Sequence, residues 1–373
     1  MGLRNIVSSF LLLIFGVSLI ISLLFVFDSI TFALPTIQKP IPLTQYELFP
    51  KGLHLLDLYN FQYVINNDLC SDETDIKGII IVTSHAGDIE ARSSMRRAYP
   101  SNLLKTLGLR RIFLLAISNP NDVRYNSISQ GALQDENLRY SDLVQGNFKE
   151  AYRNLTYKHV MGLQWVTRYC SQAKFVIKMD DDIIVNFYRI FHIIESSLKE
   201  RNNSFLMGYV LKGTLPVREP MNKWFVTKSE YSDSVYPPFL SGWMYITTPR
   251  VAKTLVEISK SIKYFWIDDT YVTGLLAHKA GIFHIDIHQY FTLYPEFLEC
   301  CIRDKEYICD YIVGPSNGDP SLVIHFQMHA DNCQENQCIH RSHEKALNRT
   351  CVAPKRTAVL RHGHGEVNPI QLF

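Results

Sequence analysis

Three consecutive aspartates, Asp180, Asp181 and Asp182, interrupt an otherwise strand-like stretch over residues 174–186. Its Val, Ile and Phe residues read as a strand with both faces covered, and carboxylates placed there are costly to bury without a partner. A period of two puts Asp180 and Asp182 on one face and Asp181 on the other. Two hard oxygen ligands on one face suit Mg2+ or Mn2+, which keep positions open for phosphate oxygens. The plainer alternative is a solvated acidic turn between two apolar segments.

A second acidic group, Asp268 and Asp269, sits in Trp266-Ile-Asp-Asp-Thr-Tyr-Val-Thr-Gly274. A carboxyl whose pKa is raised by burial or by a neighbouring carboxylate can take a proton from a hydroxyl nucleophile. Aspartate is equally a favoured helix N-cap, and one residue can do both jobs. Between the two acidic groups lies Tyr236-Pro-Pro-Phe-Leu-Ser-Gly-Trp-Met-Tyr245. Pro237 and Pro238 stop regular structure, and Gly242 lets backbone approach a ligand closely. Tyr236, Phe239, Trp243 and Tyr245 offer flat faces that stack on sugar rings or bases, or else fill an aromatic corner of the core.

Arg92 and Arg96, four residues apart, share a helix face. With Arg97 they either meet a diphosphate through charge-assisted hydrogen bonds or lie on a solvated face. His325 follows an apolar, strand-like run in residues 322–330. It reads as structural unless a metal site needs a nitrogen ligand, and His329 is then within comparable reach.

These groups need elements to position them. Residues 78–84 form a continuous apolar run, 89–99 a helix, 111–118 a second buried strand, 141–170 a mainly helical segment and 174–179 a third strand. Strands alternating with helices indicate an α/β fold with a mainly parallel sheet. Ligands on such sheets bind outside the carboxyl ends of the strands, where the aspartate triplet falls. A single catalytic domain is expected over 76–330, followed by a cysteine-containing extension over 331–373.

Residues 6–27 carry no charge, and as a helix they would span about 33 Å, enough for a bilayer core. A cleaved signal peptide is the rival reading, but its apolar core is usually shorter. Arg4 before the segment and Asp28 after it keep residues 1–5 cytoplasmic and send the rest into the secretory lumen. Residues 28–75, with Pro35, Pro40 and Pro42, read as a lumenal stem. Sequons at Asn154, Asn202 and Asn348 agree with lumenal exposure. Eight cysteines, six of them within 300–351, fit disulfides in an oxidising compartment better than zinc, because no paired C-x-x-C occurs. A formal net charge of +2 without a Lys/Arg block excludes a nucleic-acid footprint.

Taken in order, these elements resemble the β-1,3-galactosyltransferase family of Golgi glycosyltransferases. That family shows R-x-x-I-R-x-T-W, here Arg92-Ser-Ser-Met-Arg-Arg-Ala-Tyr99, and Y-x-N-L-T-x-K, here Tyr152-Arg-Asn-Leu-Thr-Tyr-Lys158, followed by a tryptophan and a cysteine like Trp165 and Cys170. The aspartate triplet comes next, then Y-P-P-Y-x-x-G-x-x-Y against residues 236–245, and E-D-V-x-x-G against residues 268–274. Ala98, Tyr99, Phe239, Trp243 and Asp268 depart from the pattern, and Trp243 puts bulk beside the donor pocket. The resemblance implies a GT-A fold and an inverting, metal-dependent transfer of galactose or a related hexose from a UDP-sugar, forming a β-1,3 linkage. Acceptors would be glycans on glycoprotein, glycolipid or proteoglycan, and the site a single-pass type II protein of the Golgi membrane. Asp182, with Asp180 and His325, would hold Mn2+ or Mg2+. Asp269 would be the base, with Asp268 its alternative. Arg92, Arg96, Asp180, Asp181, Tyr236, Gly242 and Trp243 would serve the donor. An N-acetylglucosaminyl-transferring relative and a catalytically silent sugar-binding relative are the competing readings.

Overall fold

The computed structural model describes residues 53–71, 75–118, 128–198 and 204–353. The apolar segment over 6–27 and the Asn202 sequon lie outside them. Among the described residues, no helix is long and apolar enough to cross a membrane.

Twelve strands are described. A hairpin joins β1 (Leu53–Leu55) and β2 (Leu58–Phe61). The main sheet contains β3 (Tyr63–Ile65), β4 (Gly78–Thr83), β5 (Leu109–Ile117), β6 (Leu143–Lys149), β7 (Phe175–Asp180), β9 (Phe205–Leu211), β10 (Phe239–Thr247) and β11 (Phe283–Asp286), in the order β11-β9-β10-β7-β4-β5-β6-β3. A short ribbon pairs β8 (Ile183–Val185) with β12 (Val313–Pro315). The centre, β7-β4-β5-β6, is parallel, while β10 runs antiparallel to both β7 and β9. The result is a mixed, mainly parallel sheet flanked by helices.

The central strands are apolar on both faces because both are covered. Ile79 and Ile81 enter one hydrophobic core, and Ile80 and Val82 the other. The first core is closed by the helix Leu155–Tyr169 through Val160, Met161, Leu163 and Val166. That helix lies very close to the sheet, since a Cβ at Gly162 would stand 2.4 Å from Leu114 Cδ1. The second core is closed by the helices Ile89–Ala98, Phe187–Leu198 and Pro320–Asn336.

Four expectations are corrected. Residues 143–149 form β6 rather than helix. Its polar Gln145 concealed an otherwise buried strand, and the Gln145 side chain is satisfied by Gln130 and by the Ala116 carbonyl. Residues 322–330 belong to a helix, introduced by the Asp319 cap and Pro320, which leaves no domain boundary at 330. The stem ends earlier than 75, because β3 closes one edge of the sheet and Cys70 is bonded to Cys170. That bridge joins residues 100 apart, a loop for which chain entropy gives about 4.7 kcal/mol. The other cysteines pair as Cys300–Cys351, Cys301–Cys309 and Cys333–Cys338, leaving none free.

Candidate active site

The carboxyl ends of the parallel strands open into a cleft of about 600 Å³. Asp180 ends β7 directly opposite Thr83, which ends β4. The chain then turns, so Asp181 and Asp182 lie past the strand and the alternation of faces stops at Asp180, yet all three aspartates line the cleft. The turn is pinned from two sides. Asp181 N–H donates to the Thr83 carbonyl (3.2 Å), and the Asp182 carbonyl accepts from both the N–H and the hydroxyl of Ser316 (2.8 Å each), just beyond β12.

Lys178 shares the strand face of Asp180, two residues away. Its buried ammonium donates to Asp180 Oδ1 (2.6 Å) and to the Gly242 carbonyl (2.5 Å). This contact ties the triplet to β10, across which the second acidic group stands. Asp269 caps a π-helical turn, Thr270–Leu276, by accepting from Thr270 N–H (2.7 Å). Such turns recur at functional sites. Asp269 Oδ2 lies 3.5 Å from where a Cβ on Gly242 would sit. The Asp268 carboxylate accepts from His159 Nδ1–H (2.9 Å), which leaves His159 Nε2 to meet the Tyr245 hydroxyl (2.7 Å). The segment is anchored by Thr156, whose hydroxyl donates to the Phe265 carbonyl (2.7 Å).

Electrostatics separate these carboxyls. Burial pushes Asp180 up to about 6, against the pull of Lys178. Burial also lifts Asp181 to about 7, and Asp182 above its ordinary value, with the Asp88 charge adding to both. Burial pulls Asp268 upward too, but its bond to His159 and the charge of Lys178 win and hold it at about 2. Asp269, with burial and the Asp268 anion acting together, is raised to about 7.

The cleft is lined by six carboxylates and three lysines, and one of those lysines, Lys158, is already paired with Glu150 (2.5 Å). Asp181 Oδ2 is buried with no hydrogen-bond partner. Excess negative charge and hard oxygen donors suit a divalent cation. Among the described residues, no three His, Cys, Asp or Glu side chains converge on one metal-sized point.

Several expected residues are elsewhere. Arg92 is fully buried and forks onto Glu136 (2.8 and 2.7 Å) while donating to the carbonyls of His85 (2.6 Å) and Ala86 (3.1 Å). It shapes the loop after β4 instead of meeting a donor. Arg96 is engaged by Asp142 and Glu136, and neither arginine lines the cleft. His325 is exposed on its helix and lines a different pocket, with Glu296, Glu299 and Asp319; it is no ligand of a cation at the triplet. Tyr236, Gly242 and Trp243 do line the cleft. Asn154 is half-buried and donates to the Lys149 carbonyl (2.8 Å), whereas Asn348 is exposed. Sequence reading passed over His159 and Lys178. Lys178 carried a signal, a lone cation on the Asp180 face of an apolar strand; His159 had none beyond being polar in a buried helix.

Residues 90–288 match the galactosyltransferase family. Beta-1,3-galactosyltransferase 2 of Mus musculus is 30% identical over 301 residues, covering 79% of this chain and 68% of the relative. Beta-1,3-galactosyltransferase 5 of Homo sapiens is 30% identical over 264 residues, covering 70% of this chain and 80% of the relative. The solved galactosyltransferase LgtC aligns with a TM-score of 0.32 at 12% identity, over 68% of this chain and 95% of that one, too distant to carry weight. The family match and the two relatives agree, and the chain belongs to the galactosyltransferase family of hexosyl-transferring enzymes.

Proposed function

We propose that the protein transfers galactose from a UDP-sugar to a glycan hydroxyl, forming a β-1,3 linkage with inversion at the anomeric carbon. The observation that carries this reading is the placing of two differently tuned acidic groups on one cleft, joined through Lys178. Asp269, raised to about 7, is matched to take a proton from an acceptor hydroxyl near neutral pH. As that proton leaves, the acceptor oxygen bonds to the anomeric carbon and the bond to the UDP oxygen breaks, so no covalent enzyme intermediate is needed. His159 holds Asp268 anionic beside the base. Asp180 and Asp182 would hold Mn2+ or Mg2+. When bound, such an ion supplies charge neutralisation at the UDP leaving group. Gly242 and Trp243 border the donor sugar. The apolar segment 6–27 supports attachment to the Golgi membrane as a single-pass type II protein.

The test is UDP release by the purified full-length chain, screened across UDP-Gal, UDP-GlcNAc, UDP-GalNAc and UDP-Glc with Mn2+ and with chelator. Turnover of UDP-Gal that requires the cation, and that Asp182→Ala abolishes, is the expected result. Preference for UDP-GlcNAc would move the donor assignment. Silence on every donor by folded protein would leave a sugar-binding relative as the better reading.

A further inference from the structure

Besides Thr83 Oγ1 and Asp181 Oδ2 at the triplet, two aromatic side chains of the cleft carry a polar group with no protein partner. Trp266 is 4% exposed and Tyr236 is 5% exposed. Neither the Trp266 indole N–H nor the Tyr236 hydroxyl has a hydrogen-bond partner among the described residues. Both side chains line the same cleft as Asp268 and Asp269. Buried polar groups are almost always hydrogen-bonded, so two left open on one wall point to a ligand that completes them.

Neither group is loosely held. The Trp266 ring lies under the Arg153 guanidinium (4.4 Å to the centroid) and against Tyr152 (6.0 Å between centroids). Arg153 is itself held by an ion pair with Glu230. Tyr236 packs against Tyr231, Phe239 and Phe265, with centroids 4.8, 6.1 and 5.9 Å away. The rings are therefore fixed before a ligand arrives, which lowers the ordering cost of binding.

The chemistry of the pair selects the ligand. An indole N–H only donates, and a phenol both donates and accepts; a sugar hydroxyl can answer either. Both groups are neutral, so they offer hydrogen bonds to a guest and no counter-charge. Trp266 stands two residues before Asp268, at the end of the cleft that holds the base. It is also the wall shared with an adjoining pocket of about 370 Å³, lined by Arg153, Tyr157, Lys263 and Tyr264.

We infer that Trp266 and Tyr236 form the acceptor subsite, binding the hydroxyls of a neutral saccharide beside Asp269, with the adjoining pocket receiving the next unit of the glycan. This rests on the transfer reading above and adds which wall takes the acceptor.

Tyr236→Phe removes the hydroxyl and keeps the ring, while Trp266→Phe removes the indole N–H and leaves a smaller aromatic ring in its place. In full-length protein, with methyl β-galactoside and methyl β-N-acetylglucosaminide as acceptors, each is expected to raise acceptor KM about five- to tenfold, as for one lost hydrogen bond, with the UDP-sugar KM unmoved. A parallel rise in donor KM, or an unmoved acceptor KM in both variants, overturns the inference. A second readout needs no turnover. The Trp266 indole N–H resonance, identified by its loss in Trp266→Phe, should shift when either saccharide is added in the presence of UDP. No shift with either saccharide overturns the subsite even where wild-type protein transfers sugar. A shift in protein that releases no UDP from any donor would uphold the subsite and defeat the transfer reading instead.

Discussion

The triplet at the end of β7 and the pair before the π-helical turn are built from the same residue type on one cleft. They differ in what compensates them. Asp180 has one lysine, Asp181 keeps an oxygen without a partner, and all three triplet carboxyls are pushed up. In the pair, His159 bonds one member, and the two part: Asp268 falls to about 2 and Asp269 rises to about 7. On the proposed reading, that shared deficit of positive charge is met by a bound cation. A local imbalance produces one fixed anion and one proton acceptor. Acidic residues alone therefore say little, and the placement of neighbouring donors decides which chemistry they serve.

The largest effect is expected from removing the proposed proton acceptor. Asp269→Asn should cut turnover by about 10²–10⁴-fold with UDP binding retained in calorimetry. Its effect on stability has the opposite sign. A carboxyl raised from 3.8 to about 7 in the folded state favours folding while protonated. That contribution is full below pH 4 and is lost as pH rises through 7. Asparagine does not titrate, so the variant's Tm should gain on wild type between pH 4 and pH 8. A Tm difference that stays flat with pH would mean Asp269 is ordinarily solvated and the contrast with Asp268 is wrong.

Lys178→Met attacks the link between the two groups. The ammonium is buried against Asp180, whose own side chain is 33% exposed, and the Gly242 carbonyl, so its removal should cost less than the about 3–5 kcal/mol of a fully buried pair. Denaturant unfolding should show that loss at pH 8, where Asp180 is ionised. The loss should shrink toward pH 5, where Asp180, at about 6, takes up a proton and no longer needs the lysine. A pH-independent loss would make Lys178 a packing residue.

Much of this contrast was legible before the structure, and the missing part has a physical cause. An apolar run ending in aspartates placed the triplet at a strand's carboxyl end, and the capping preference of aspartate placed Asp269 at a helical start. Partners distant in sequence were not readable. Arg92 and Arg96 resemble a phosphate clamp until Glu136 and Asp142, 44 and 46 residues away, take them up. His325 looked available because an apolar run was taken for a strand; the buried positions 322, 323, 326, 327, 329 and 330 follow a helical spacing. β6 was hidden by Gln145, whose side chain is satisfied by groups from two other elements. For the two arginines and for Gln145, the error came from reading a polar residue without the neighbour that satisfies it.

His159 gives the mildest and most specific test of the comparison. Its ring meets Asp268 on one side and the Tyr245 hydroxyl on the other, and its own pKa is lowered by burial against the pull of Asp268. His159→Leu removes the hydrogen bond, so burial draws Asp268 upward and the pair holds its first proton more tightly. The acid limb of the kcat profile should then move to higher pH. A hydrogen bond to a charged group is worth about 1.5–3 kcal/mol, so a loss of roughly tenfold or more is expected at pH 6. His159→Gln, whose amide can donate to Asp268, should return the limb most of the way. If Leu and Gln give the same profile as wild type, then Lys178 alone separates the two aspartates, and the pair and the triplet are governed by one cation rather than by different neighbours.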